Sequence, residues 1–139
     1  MKENPIREKS FAFALRVVKL AKYLERQRKE FVLSRQVLRS GTAVGALIRE
    51  AEHAESKADF IHKMSIALKE ANETLYWLEL LHQAEYIDEQ SFQSIGADSE
   101  ELIKLLSAIV KTSKIAKRSN NYPLSIFHYP LCPNPLELS

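Results

Sequence analysis

Cysteine is nearly absent from these 139 residues: Cys132 stands alone. A lone thiol excludes an internal disulfide and fits a reducing compartment. Glycine and proline are almost as scarce, with three and five residues, and four of the prolines lie beyond residue 122. From residue 5 to about 118 the chain therefore has few breakers, and helix is expected nearly throughout. Long apolar runs are missing as well, for none approaches the roughly 18 residues that cross a bilayer. The first twenty residues also lack a signal peptide's basic end, apolar stretch and small-residue cleavage site. No membrane partner is expected, and the expected location is the cytoplasm. Apolar residues still make up 45%, enough for a chain of one-domain length to bury a core.

Four helices follow from the periodicity. Asn4 is a good N-cap and Pro5 suits the first helical position. The first helix is expected to run to about residue 29, with Ile6, Phe13, Val17, Ala21 and Leu24 forming a buried stripe. Phe11, Leu15 and Val18 form a second stripe that one bundle core does not need. Ser34 is the best cap for the second helix, with Leu33 and Leu38 placed as a hydrophobic staple. That helix runs to about residue 54 and buries Val37, Val44, Ile48 and Ala51. Gly41 and Gly45 lie inside it, each costing roughly 1 kcal/mol against alanine. The apolar period passes through residue 41 in phase, so the pair reads as a close helix contact. Ser56, with Asp59 three residues on, caps a third helix that reaches about residue 84 and buries Phe60, Met64, Ala67, Ala71, Leu75, Leu78 and Leu81. Asp88 opens the fourth, whose stripe of Ile95, Leu102, Leu106, Ile109 and Ser113 continues to about residue 118. The expected fold is all-α, an up-down-up-down antiparallel four-helix bundle over residues 1–118. Residues 119–139, with Pro123, Pro130, Pro133 and Pro135, read as an extended C-terminal tail.

The net charge is only +2, yet the charges are sorted along the chain. Residues 1–49 hold 12 Lys and Arg against 4 Asp and Glu, whereas residues 50–103 hold 3 against 13. Arg26, Arg28, Lys29, Arg35 and Arg39 gather around the expected turn between the first two helices. This basic end is the candidate contact for RNA or DNA phosphates. Glu79, Glu85, Asp88 and Glu89 come to the same end and oppose it. Glu50, Glu52 and Glu55 close the second helix, where the helix dipole disfavours them. Lys111, Lys114, Lys117 and Arg118 are their expected partners.

Catalytic constellations do not emerge. Glu50 with His53, and Glu79 with His82, have the spacing of di-metal bundle ligands. The topology puts the two histidines on the order of 40 Å apart, because about 26 residues of helix separate His82 from the turn beside His53. No metal, cofactor or catalytic residue is therefore assigned. The Gly41 to Gly45 run lacks the Lys-Ser/Thr pair of a phosphate loop. Tyr76 and Trp77 read as core or subunit-contact residues.

Arg39-Ser40-Gly41-Thr42-Ala43-Val44-Gly45-Ala46, Glu50-Ala51, Ala54, Ser56, Asp59-Phe60, Glu70, Glu73-Thr74 and Trp77-Leu78 together resemble the 23S ribosomal-RNA intervening-sequence protein family. The resemblance covers residues 5 to about 118. It departs at Ala43 and Leu47, where the family commonly carries Ser and Asn. It implies a bacterial four-helix bundle that assembles as a homopentamer and has no established enzymatic activity. A related branch, the accessory protein of diversity-generating retroelements, implies nucleic acid and a reverse transcriptase as partners. Gly41, Gly45, Phe11, Leu15, Val18 and Trp77 are the candidate helix-contact and oligomer residues. A non-enzymatic nucleic-acid accessory factor, a protein adaptor and a metal-dependent bundle enzyme are the readings carried forward.

Overall fold

The computed structural model describes residues 4–118. It contains α1 (Pro5–Arg26), α2 (Leu33–Ala51), α3 (Lys57–Gln83) and α4 (Glu89–Arg118), with no strand among the described residues. Each helix packs on the next in chain order, and α4 closes against α1 through a thinner seam. The product is an antiparallel four-helix bundle. The expected extended tail lies outside the described residues.

Most helix ends obey local chemistry. The Asn4 side chain accepts from the Arg7 N–H at 3.3 Å, and Ser56 Oγ accepts from the Asp59 N–H at 3.0 Å. Asp59 answers by accepting from the Glu55 N–H at 3.2 Å, so two orphan donors are satisfied together. Asp88 Oδ1 accepts from the Ser91 N–H at 2.7 Å and starts α4.

The start of α2 differs from the expectation. Ser34 is buried inside the helix and caps nothing. Glu30 acts instead, accepting from the Val32 N–H at 3.2 Å and from the Ser34 N–H at 2.8 Å. α1 also stops three residues early. Lys29 turns into the left-handed region at φ 56°, which returns the Glu30 N–H to the Leu24 carbonyl at 2.9 Å. Glu85 does the same after α3 at φ 66°, and the Tyr86 N–H reaches the Leu81 carbonyl at 2.9 Å. Glycine normally fills such positions, so neither turn announces itself in the sequence. α2 ends at Ala51 because the next N–H groups fold back onto nearer carbonyls: His53 bonds Glu50 at 3.0 Å and Ala54 bonds Ala51 at 3.1 Å.

The core follows the expected stripes, with Ile6, Phe13, Leu24, Ile48, Phe60, Leu78 and Leu106 at 0 to 1% exposure. Burying each such side chain contributes about 1.5–3 kcal/mol. One position is corrected: Thr74, not Leu75, points inward on α3. The inward row of Phe60, Met64, Ala67, Ala71, Thr74, Leu78 and Leu81 alternates four- and three-residue steps, and geometry along that row outweighs the greater hydrophobicity of leucine. Thr74 is acceptable there because its hydroxyl has oxygen partners inside the bundle.

Small residues set the distance between α1 and α2. A Cβ on Gly41 would lie 2.8 Å from both Val17 methyls, and one on Gly45 would lie 3.4 Å from Ser10 Oγ. Across the α1–α4 seam, Arg16 pairs with Asp98 at 2.6 Å and Lys9 with Glu101 at 3.2 Å. A cleft of about 440 Å³ remains there over Leu20, Ile87 and Ile95. Its arginine is already taken, since Arg16 also donates to Ser94 Oγ at 2.8 Å.

Candidate nucleic-acid interface

The six residues between α1 and α2 build the basic end. Three of the five expected cations, Arg26, Lys29 and Arg35, are exposed and have no ion-pair partner among the described residues. The other two are engaged within the fold. Arg28 Nη1 donates to the carbonyls of Glu85 and Tyr86 at 3.1 and 3.0 Å, and its guanidinium lies 5.0 Å from the Tyr86 ring centroid. It therefore ties the α1–α2 turn to the α3–α4 turn. Arg39 pairs with Glu70 at 3.2 Å and with Glu73, and so joins α2 to α3.

The opposing carboxylates are also partly committed. Asp88 holds the first turn of α4, and the Ser91 backbone N–H followed by the Ser91 side chain lowers its pKa below the ordinary aspartate value. Glu89 lies 3.0 Å from His82 Nε2 and accepts from Gln93 at 2.8 Å. Glu30 is turned onto the backbone of α2. Glu79 and Glu85 are left exposed, so the turn presents more available positive than negative charge on its own residues.

The motif residues of α2 and α3 form one connected group. Ser40 Oγ donates to the Gln36 carbonyl at 3.1 Å. The Thr74 hydroxyl lies 2.9 Å from Ser40 Oγ and 2.7 Å from the Glu70 carbonyl. Trp77 Nε1 donates to Glu73 at 3.0 Å, and its ring meets Tyr76 edge-on at 5.0 Å between centroids. Arg39, Ser40, Glu70, Glu73, Thr74 and Trp77 thus pin α2 to α3, and Trp77 packs partly buried against the core.

The remaining contact candidates separate by exposure. Gly41 and Gly45 lie in the α1–α2 contact within one chain. Phe11 and Leu15 are each 50% exposed on α1, and Val18 is half-buried. The Arg49 guanidinium covers one face of Phe11 at 5.1 Å. The acidic end of α2 finds different partners from those expected: Glu52 pairs with Arg7 at 3.1 Å and Glu50 with Lys63 at 2.9 Å. The Glu50 hydrogen bond and charge hold the Lys63 pKa above its ordinary value.

The Glu-x-x-His pairs do not converge. His82 stacks flat on Phe92 with centroids 4.5 Å apart, and no three His, Cys, Asp or Glu come together among the described residues. Nor is any helix among the described residues long and apolar enough to cross a membrane. Two residues of the basic end escaped sequence reasoning. Glu30, as a cap, was legible only as an acid four residues ahead of Ser34. Phe31, 50% exposed, was legible as an aromatic flanked by cations in a stretch without glycine or proline.

The profile of the 23S rRNA-intervening sequence protein family matches residues 2–108. A crystal structure of a protein with unknown function from the S23 ribosomal protein family of Bacteroides thetaiotaomicron is 58% identical, with a TM-score of 0.76. The match covers 76% of this chain and 98% of that one. No curated protein matches the chain.

Proposed function

The chain belongs to the 23S rRNA-intervening sequence protein family, and from that premise we propose a non-enzymatic, self-assembling helical scaffold whose basic end holds nucleic-acid phosphates without reading sequence. The observation that carries the reading is the set of three exposed cations, Arg26, Lys29 and Arg35, unpaired among the described residues at one turn. Arg28 and Arg39 support the turn and the α2–α3 contact instead of facing a ligand. Three cations per chain give weak binding, and repetition around an assembly multiplies it.

The assembly is a homopentamer in this proposal, built on the exposed Phe11 and Leu15 face. A cyclic ring joins two different patches of each copy. The basic α1 and the more acidic α3 provide charges of opposite sign for such a pair.

A titration of RNA and DNA at two salt concentrations tests the phosphate reading. Affinity is expected to fall steeply as salt rises, and replacing Arg26, Lys29 and Arg35 together should flatten that slope. Binding indifferent to salt and to the triple change would exclude it. A second reading, a protein adaptor such as a partner of a reverse transcriptase, draws on the exposed Phe31 and Val32. It predicts capture of one protein partner with no nucleic acid. Stoichiometric iron, manganese or zinc in protein purified without chelator would instead revive a metal enzyme.

A further inference from the structure

The fold covers only half of Phe31. It is 50% exposed and Val32 beside it is 68% exposed, in a turn otherwise built of charged and polar residues. The uncovered half of the ring is apolar surface left in water. The backbone that carries it is tied on both sides. Arg28 holds the carbonyls of Glu85 and Tyr86, and Glu30 holds the N–H groups of Val32 and Ser34. The one carboxylate in the turn is thereby spent on the helix start, and Phe31 is flanked in sequence by Arg26 and Lys29 before it and Arg35 after it.

We propose that the α1–α2 turn binds single-stranded nucleic acid, with Phe31 stacked on an unpaired base while Arg26, Lys29 and Arg35 hold the adjoining phosphates. This rests on the phosphate-binding reading above and names its substrate class. A duplex offers phosphates but keeps its bases stacked inside, whereas a single strand offers a free base face for an aromatic ring. Every base has such a face, so the site tolerates sequence.

The test uses the full chain and a fluorescently labelled 12-nucleotide oligouridine, beside a hairpin duplex RNA with as many phosphates. The single strand should bind about tenfold more tightly than the duplex. Phe31→Leu, which keeps an apolar side chain and removes the ring, should lose about tenfold on the single strand. The same change should leave duplex affinity and the salt slope as they were, and Phe31→Tyr should retain single-strand affinity. Circular dichroism and light scattering of each variant report folding and assembly.

Salt-dependent binding that ignores Phe31→Leu, or that treats strand and duplex alike, would overturn the stacking proposal and leave the phosphate reading standing. Absence of binding at low salt would overturn both. Loss of assembly mass in Phe31→Leu, with helix content intact, would make the turn a contact between protein chains and overturn the proposal as well.

Discussion

Gly41 and Val17 meet so closely that a Cβ on the glycine would lie 2.8 Å from both valine methyls. Helix propensity favours Gly41→Ala by about 1 kcal/mol, but overpacking in a contact this tight costs about 1–3 kcal/mol. The net expectation is a lowered denaturation midpoint. In a Val17→Ala background the methyls are gone and only the residue 17 Cβ remains, at 3.2 Å, so the same change should cost less than it does beside valine. Gly45→Ala, with 3.4 Å to Ser10 Oγ, should be neutral or stabilising. A raised midpoint for Gly41→Ala alone would show that α1 can give way.

Ser40 and Thr74 should behave as one unit. Thr74→Val removes an oxygen from a buried pair at 2.9 Å, and because Ser40 Oγ keeps the Gln36 carbonyl as its acceptor, the cost is that of one lost hydrogen bond, about 0.5–1.5 kcal/mol. The double change with Ser40→Ala should cost less than the two single changes added together. Strict additivity in a double-mutant cycle would mean that the hydroxyls act independently.

Glu85 occupies a left-handed position at φ 66°. A non-glycine residue is disfavoured there, so Glu85→Gly should stabilise the protein by about 0.5–1 kcal/mol. The Tyr86 and Leu81 hydrogen bond is backbone only and survives the change. Thermal melts of the two proteins at one concentration decide the sign.

Asp88 should make stability depend on acid. Its folded pKa is lowered by the Ser91 backbone N–H and then the Ser91 side chain. A lowered folded value means that the contribution is fully present above the ordinary carboxylate pKa and is lost as pH falls through the folded one. Asp88→Asn keeps an N-cap and cannot titrate. The stability difference between wild type and variant should therefore shrink as pH drops below about 4. A constant difference across that window would contradict the assignment.

Phe11 and Leu15 are the test of self-assembly. Replacing both with Asp removes the exposed apolar face without touching the core row of Phe13 and Val17. Light scattering should report a smaller particle while helix content stays unchanged. Unchanged mass would exclude the proposed interface at Phe11 and Leu15, and a monomer mass for the unaltered protein would exclude self-assembly.

The order and number of the helices were legible because the burial signal is periodic and redundant. Losing one residue from the stripe Ile6, Phe13, Val17, Ala21 and Leu24 would not hide it. Caps such as Asn4, Ser56 and Asp88 were legible for a different reason: their partners lie three residues away and need no tertiary context. The basic end was visible as composition, but which of its cations the fold leaves unpaired was not. Arg26 and Arg28 look alike in sequence, and only the approach of the α3–α4 turn separates them.

The amino-acid order by itself determined four amphipathic helices, their sequence of turns and the face each one buries, since these depend on residues within a few positions of one another. The left-handed turns at Lys29 and Glu85 and the Glu30 cap are also local, closed by hydrogen bonds within two to six positions, but no glycine and no Ser, Thr, Asn or Asp cap marks them in the sequence. Tertiary structure alone decided that Thr74, with Ser40 beside it, replaces Leu75 inside and that Arg28 and Arg39 are bound within the fold. Each of those outcomes is set by groups that only packing brings together. Arg39 meets Glu70 across 31 positions and Arg28 meets Glu85 across 57, and no local pattern specifies a contact at that distance along the chain.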